Sequence, residues 1–198
     1  MNLEKLFEAQ RVLDERIEQE HPRAEKENRL KDKCLALLVE LGECANEERT
    51  WKFWSQNRNP VTKSIRPIFG TNVDGTQYQS YVECNPLLEE YVDVLHFALS
   101  IGNEIDFPKN IHKEVDPDFF FGTYSPSWTA SDAFGYSYRS VIKFMQLPKE
   151  HEYLKIEYLF MLKSITALGR WLVFTSEQIE TAYFEKNKIN HERQDANY

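Results

Sequence analysis

Three glutamates, Glu40, Glu43 and Glu47, interrupt one of the most apolar stretches of this 198-residue chain, Leu37-Leu38-Val39-Glu40-Leu41-Gly42-Glu43. On a helix, at 100° per residue, the three carboxylates fall within an arc of roughly 60° while Leu35, Leu37, Leu38, Val39 and Leu41 occupy the rest. Like charges on so narrow a stripe repel, and a helix apolar on its other sides is expected to be packed on several of them. A cation is expected against the stripe. A second acidic pair repeats the pattern, because Glu90 shares a helical face with Val94, Phe97 and Ile101, and Asp93 lies along its edge. A pair at i, i+3 presents its oxygens on one face, so two such helices packed together converge four carboxylates on one point. Glu40, Glu43, Glu90 and Asp93 are therefore the candidate ligands of a hard divalent ion, and Mg²⁺ is the expected cofactor. Glu47 is a further ligand or a group just behind them. With 32 acidic residues in the chain, chance alone supplies about five acid-x-x-acid pairs, most of them on solvated faces. The apolar setting of these two distinguishes them.

Other polar residues sit in places that need explaining. Near the C-terminus Lys186, Asn190 and Arg193 fall within roughly 60° of one another on a helix, as a phosphate-binding set or as charges favouring the helix C-terminus. In the first helix Gln10 stands at the centre of the apolar face and Asp14 one turn on. They could read the edge of a nucleobase or form an ordinary buried network. Trp51 and Trp54 could stack on a base or pack the bundle.

The elements that position these residues are mostly helical. Amphipathic spacing places helices at 2–20, from near Lys31 to Arg49, from Pro86 to about Ile105, at about 136–146, at 150–173 and at 176 to about 194. Pro86 suits a first turn, and Thr175-Ser176-Glu177-Gln178 suits a capping box. Residues 55–85 break the pattern with prolines and Asp74-Gly75, and Ile65–Phe69 could pair with Gln77–Val82 as a short hairpin. Residues 106–135, rich in Pro, Phe and Asp, read as a loop. The expected architecture is an all-α helical bundle, one domain over 1–198, with an irregular insertion between the two acidic helices.

Composition narrows the function. A net charge of −8 weighs against a nucleic-acid partner. No apolar run approaches the roughly 18 residues that span a membrane, and no signal-peptide pattern opens the chain. Cys34, Cys44 and Cys84 are odd in number and far apart, as reduced thiols of a cytoplasmic protein would be.

These residues resemble a known family, the dimeric all-α dUTP pyrophosphatases, related to the MazG-type nucleotide pyrophosphatases. The resemblance rests on Glu40-x-x-Glu43, Glu90-x-x-Asp93, the segment Trp51-Lys52-Phe53-Trp54 and the ending Tyr183-Phe-Glu-Lys-Asn-Lys-Ile-Asn-His-Glu-Arg-Gln-Asp-Ala-Asn-Tyr198. It covers the first helix, both acidic helices and the last, about half the chain. It implies the bundle of the all-α nucleoside triphosphate pyrophosphatases, a homodimer, and hydrolysis of dUTP to dUMP and diphosphate with attack at the β-phosphorus. It further implies Mg²⁺ held by Glu40, Glu43, Glu90 and Asp93, and substrate contacts from Gln10, Asp14, Trp54, Lys186, Asn190, Arg193 and Tyr198. Glu43, Lys186 and Arg193 are the expected catalytic groups, Glu43 by orienting the attacking water. Two departures stand out: the segment between the acidic pairs is longer than the family's usual spacing, and Asp14 stands where an asparagine is common. A preference for dCTP or other non-standard nucleotides, and a non-catalytic helical interaction protein, are the alternatives.

Overall fold

The computed structural model describes residues 1–107, 125 and 127–196. Its elements, in chain order, are α1 (Leu3–Glu20), α2 (Arg29–Glu48), β1 (Ser64–Thr71), β2 (Gln77–Cys84), α3 (Pro86–Glu104), α4 (Ala130–Met145), α5 (Leu154–Trp171) and α6 (Ser176–Asp195). The fold is mostly helical, with an antiparallel hairpin between α2 and α3. Among the described residues no helix is long and apolar enough to cross a membrane.

Side-chain caps set where the helices begin. Asn2, Asn28 and Asn85 each accept a backbone N–H of the first turn, and Pro86 follows Asn85 in the first helical position. Thr175 and Gln178 form the expected capping box. A second box, Thr129 with Asp132, starts α4 six residues before the expected position, inside the stretch read as a loop. The rest of that stretch, 108–124 and 126, lies outside the described residues. Helix α5 is shorter than expected at both ends.

α3 is the central helix. It is buried along its length and packs against α1, α2, α5 and α6, while α4 pairs with α5 and α2. Two tyrosines tie α3 and α5 together: Tyr158 Oη donates to the Ala98 carbonyl at 2.9 Å, and Tyr91 Oη to the Ile165 carbonyl at 3.2 Å. Both crossings depend on glycine. A Cβ on Gly102 would lie 2.2 Å from Tyr158 Oη, and one on Gly169 would lie 2.3 Å from Tyr91.

The hairpin pairs Ser64 with Cys84 through to Thr71 with Gln77, and its side chains are mostly exposed. Its stem is tied to the helices by Val61, whose N–H donates to the Glu47 carbonyl and whose carbonyl accepts from Leu87 N–H. α2 is less enclosed than its sequence suggests, because Leu35 and Val39 are 56% and 51% exposed. They share one side of the helix, a turn apart, and among the described residues neither is covered.

Candidate nucleotide site

The antiparallel packing of α2 and α3 defines an axis. At one end Lys33 of α2 meets Glu104 of α3; at the other Glu40 approaches Glu90 and Asp93. One ligand oxygen from each of Glu40, Glu90 and Asp93 lies within 4.8 Å of the other two. All three are partly buried, and burial is the chief reason their carboxyls bind protons more tightly than usual, with repulsion from neighbouring carboxylates adding to it. Glu40 and Glu90 are each pushed up to about 7, and Asp93 is raised against the pull of Lys186. Lys186 of α6 donates to Asp93 Oδ2 at 2.5 Å, which puts a cation beside the triad. Glu43 is exposed and outside this triad, yet near enough to raise Glu40 and Glu90. Glu47 acts on Glu90 in the same way. Three carboxylates this close, sharing one lysine, are a donor set of hard oxygens that fits Mg²⁺.

From the acids a cleft of about 700 Å³ opens between α1, α2, α3 and α6. Its walls include Gln10, Asp14, Glu40, Asp93, Asn190 and Arg193, so one depression gathers six residues singled out from sequence. Gln10 and Asp14 sit in a hydrogen-bonded chain. Tyr183 Oη donates to Gln10 Oε1 at 2.8 Å, and Gln10 Nε2 donates to Asp14 Oδ1 at 2.9 Å. Ser100 Oγ donates to the same Oδ1 at 2.7 Å, and Asn103 Nδ2 to Oδ2 at 3.2 Å. Because a carboxylate only accepts, Asp14 fixes the Gln10 amide with its nitrogen inward and its oxygen on Tyr183.

Several residues of this site escaped the sequence reading. His96, Ser100 and Asn103 follow Asp93 at intervals of three, four and three, a polar stripe down the most apolar helix, and that spacing is the signal that could have found these three. His96 is only 5% exposed and stacks on Tyr183 at a centroid separation of 4.0 Å and an interplanar angle of 13°. Burial lowers its imidazole to about 4. Its Nδ1 faces the Val92 carbonyl at 2.9 Å, and since a carbonyl only accepts, Nδ1 carries the hydrogen. The rim of the cleft was missed too: Glu18, Glu27 and Arg29 are joined by ion pairs across the connection between α1 and α2.

One of the expected contacts lies elsewhere. Trp54 is 64% exposed beyond the end of α2, packed edge-on to Trp51 and Phe53, and is not among the residues lining the cleft. Tyr198 lies outside the described residues.

A family model described as dUTPase matches residues 2–68 and 77–198, nearly the whole chain. The chain belongs to the all-α dimeric dUTPase family. This is a family of nucleotide pyrophosphatases. The match leaves out residues 69–76, the tip of the hairpin. No curated protein matches it.

Proposed function

We propose that the protein is a Mg²⁺-dependent nucleoside triphosphate pyrophosphatase that converts dUTP to dUMP and diphosphate. The observation that carries this reading is the convergence of Glu40, Glu90 and Asp93 at one end of a cleft whose wall also holds the fixed Gln10–Asp14 pair. Phosphates belong at the acidic end and the base at Asp14. When bound, Mg²⁺ neutralises phosphate charge and makes a water more acidic. Lys186, held at the phosphate end by Asp93, and Arg193 on the cleft wall add positive charge as negative charge builds on the leaving group. Exposed Glu43 beside the triad orients the water and takes its proton. The bond that breaks joins the α- and β-phosphates; with attack at the β-phosphorus, as the family resemblance implies, the water oxygen leaves on diphosphate.

Asp14 accepts from uracil N3–H, and the second hydrogen on Gln10 Nε2 is available to a carbonyl oxygen of the base. Cytosine has no hydrogen at N3 and would set a lone pair against the Asp14 carboxylate; leaving that base acceptor without a donor costs about 1 to 3 kcal/mol, a preference of roughly five- to 150-fold for uracil. A related preference for dCTP is the second reading, because Asp14 can instead accept from the cytosine amino group. The enzyme acts as a homodimer, supported by the family and by exposed Leu35 and Val39 on α2. Its three unpaired cysteines suit the cytoplasm. A panel of deoxynucleoside triphosphates, with and without Mg²⁺ and with product analysis, tests the activity. dUMP and diphosphate should appear only with the metal. Turnover of no nucleotide would leave an interaction protein as the better reading.

A further inference from the structure

Along α3 the phosphate and base ends of the cleft are Asp93 and Ser100, seven residues or roughly 10 Å apart at 1.5 Å per residue. His96 lies between them and lines the same cleft. Its position corresponds to the sugar of a nucleotide laid along the helix. With Nδ1 occupied by the Val92 carbonyl, Nε2 carries a lone pair, and that buried atom has no hydrogen-bond partner among the described residues. A buried acceptor without a donor is costly, and such a position is suited to a ligand hydrogen. The stack on Tyr183, itself bonded to Gln10, holds the ring in place.

We infer that His96 Nε2 accepts a hydrogen bond from the 3′-hydroxyl of the substrate's deoxyribose, making His96 a specificity determinant for the free sugar hydroxyl. This rests on the nucleotide pyrophosphatase reading and goes beyond it. A 2′-deoxynucleotide has one free hydroxyl on its sugar, and the base hydrogen at N3 is already matched by Asp14. Binding of a 3′-deoxy sugar leaves Nε2 unpaired, whereas a bound 3′-hydroxyl satisfies it.

The test compares dUTP with 2′,3′-dideoxyuridine triphosphate, and dCTP with its dideoxy counterpart, on the wild type and on His96→Phe, which keeps a ring on Tyr183 but has no acceptor. The wild type should favour the 3′-hydroxyl form in kcat/KM by about ten- to a hundredfold, and His96→Phe should bring the ratio to within about twofold. A purely structural role would lower both substrates together and leave the ratio unchanged. Should the substitution unfold the protein, the ¹⁵N resonance of His96 Nε2 in the wild type decides. It should move on binding a non-hydrolysable α,β-imido dUTP and not on binding the dideoxy form. Equal use of both sugars by the wild type, an unchanged ratio in the folded variant, or an imidazole resonance indifferent to the hydroxyl would each overturn the assignment while leaving the activity in place. Hydrolysis of no triphosphate at all would overturn the activity and this assignment with it.

Discussion

Glu40 and Glu90, brought up to about 7 by burial and by the carboxylates of Asp93 and Glu43, make the acidic triad a source of instability until something neutralises it. The sign follows from linkage: these carboxyls bind protons more tightly when folded than at their ordinary 4.5, so between about 4.5 and 7 the folded state holds more protons and rising pH erodes stability. In the proposed enzyme a bound Mg²⁺ would take the place of those protons. Its stabilising effect should therefore be larger at pH 8 than at pH 5.5, as a rise in Tm by scanning fluorimetry; an equal rise at both would detach the metal from these residues. The roles within the cluster also separate by substitution. Asp93→Asn removes a hard ligand and releases Lys186, so turnover should fall at least a hundredfold and the Mg²⁺ concentration for half-maximal rate should rise. Glu43→Gln, outside the triad, should lower kcat with the Mg²⁺ dependence little changed. Steady-state Mg²⁺ titrations of the two variants distinguish these outcomes. At the other end of the cleft, Asp14→Asn exchanges one acceptor oxygen for an amide that donates, in a site where Gln10, Ser100 and Asn103 all donate inward. Competitive turnover of dUTP and dCTP should show their ratio moved by about fivefold or more toward cytosine, whose N3 accepts. An unchanged ratio would remove Asp14 from the base pocket.

At the scale of elements, the connection between α1 and α2 depends on a carboxylate from α3. Glu104, with a side chain only 6% exposed, accepts two bonds from Arg23, at 2.8 and 2.7 Å, and one from Lys33 at 3.1 Å; Lys149 approaches at 3.6 Å. Burial alone would raise this carboxyl, but Arg23 and Lys33 together hold it down to about 2. Since the folded state here binds its proton less tightly than the ordinary 4.5, the stability Glu104 contributes is present above about 4.5 and disappears as pH falls toward 2. Glu104→Gln should cost about 1 to 3 kcal/mol at pH 7, allowing for the exposure of Arg23 and Lys149, and should flatten that acid limb in urea unfolding at several pH values. A variant with the wild-type acid limb would show that the network does not hold this connection. The same elements show what the sequence could disclose. α1, α2, α3 and α6 were legible because apolar residues recur at helical spacing and because Asn85-Pro86 and Thr175-x-x-Gln178 carry start signals. The start of α4 was not, since Thr129-x-x-Asp132 lies in a stretch dominated by Pro, Phe and Asp and only the pairing of the two side chains reveals the box. The acidic triad was legible from its apolar setting. Its completion by Lys186, the anchoring of Asp14 by Ser100 and Asn103, and the stack of His96 on Tyr183 depend on which helices adjoin. Spacing within one helix does not state that.

On the scale of the whole molecule, several large apolar side chains of the described helices stand exposed. Leu35 and Val39 project from α2 one turn apart, and Ile142 of α4 and Ile156 and Phe160 of α5 are 45%, 49% and 51% exposed. α2 thus turns Glu40 toward α3, and the next residue back, Val39, toward solvent. A two-fold axis over such a stripe would place the same side chains from both copies against each other and bury them without any new complementary surface. It would also brace the helix that supplies Glu40, tying the metal ligands to assembly. Val39→Arg should therefore convert a dimer at tens of micromolar protein into a monomer, because two like charges would face each other in a desolvated contact. Turnover should fall with dissociation and recover in part as protein concentration rises. Sedimentation velocity alongside activity over the same concentration range measures both. A wild type that sediments as a monomer at those concentrations, or a monomeric variant of full activity, would separate the apolar stripe from the working of the site.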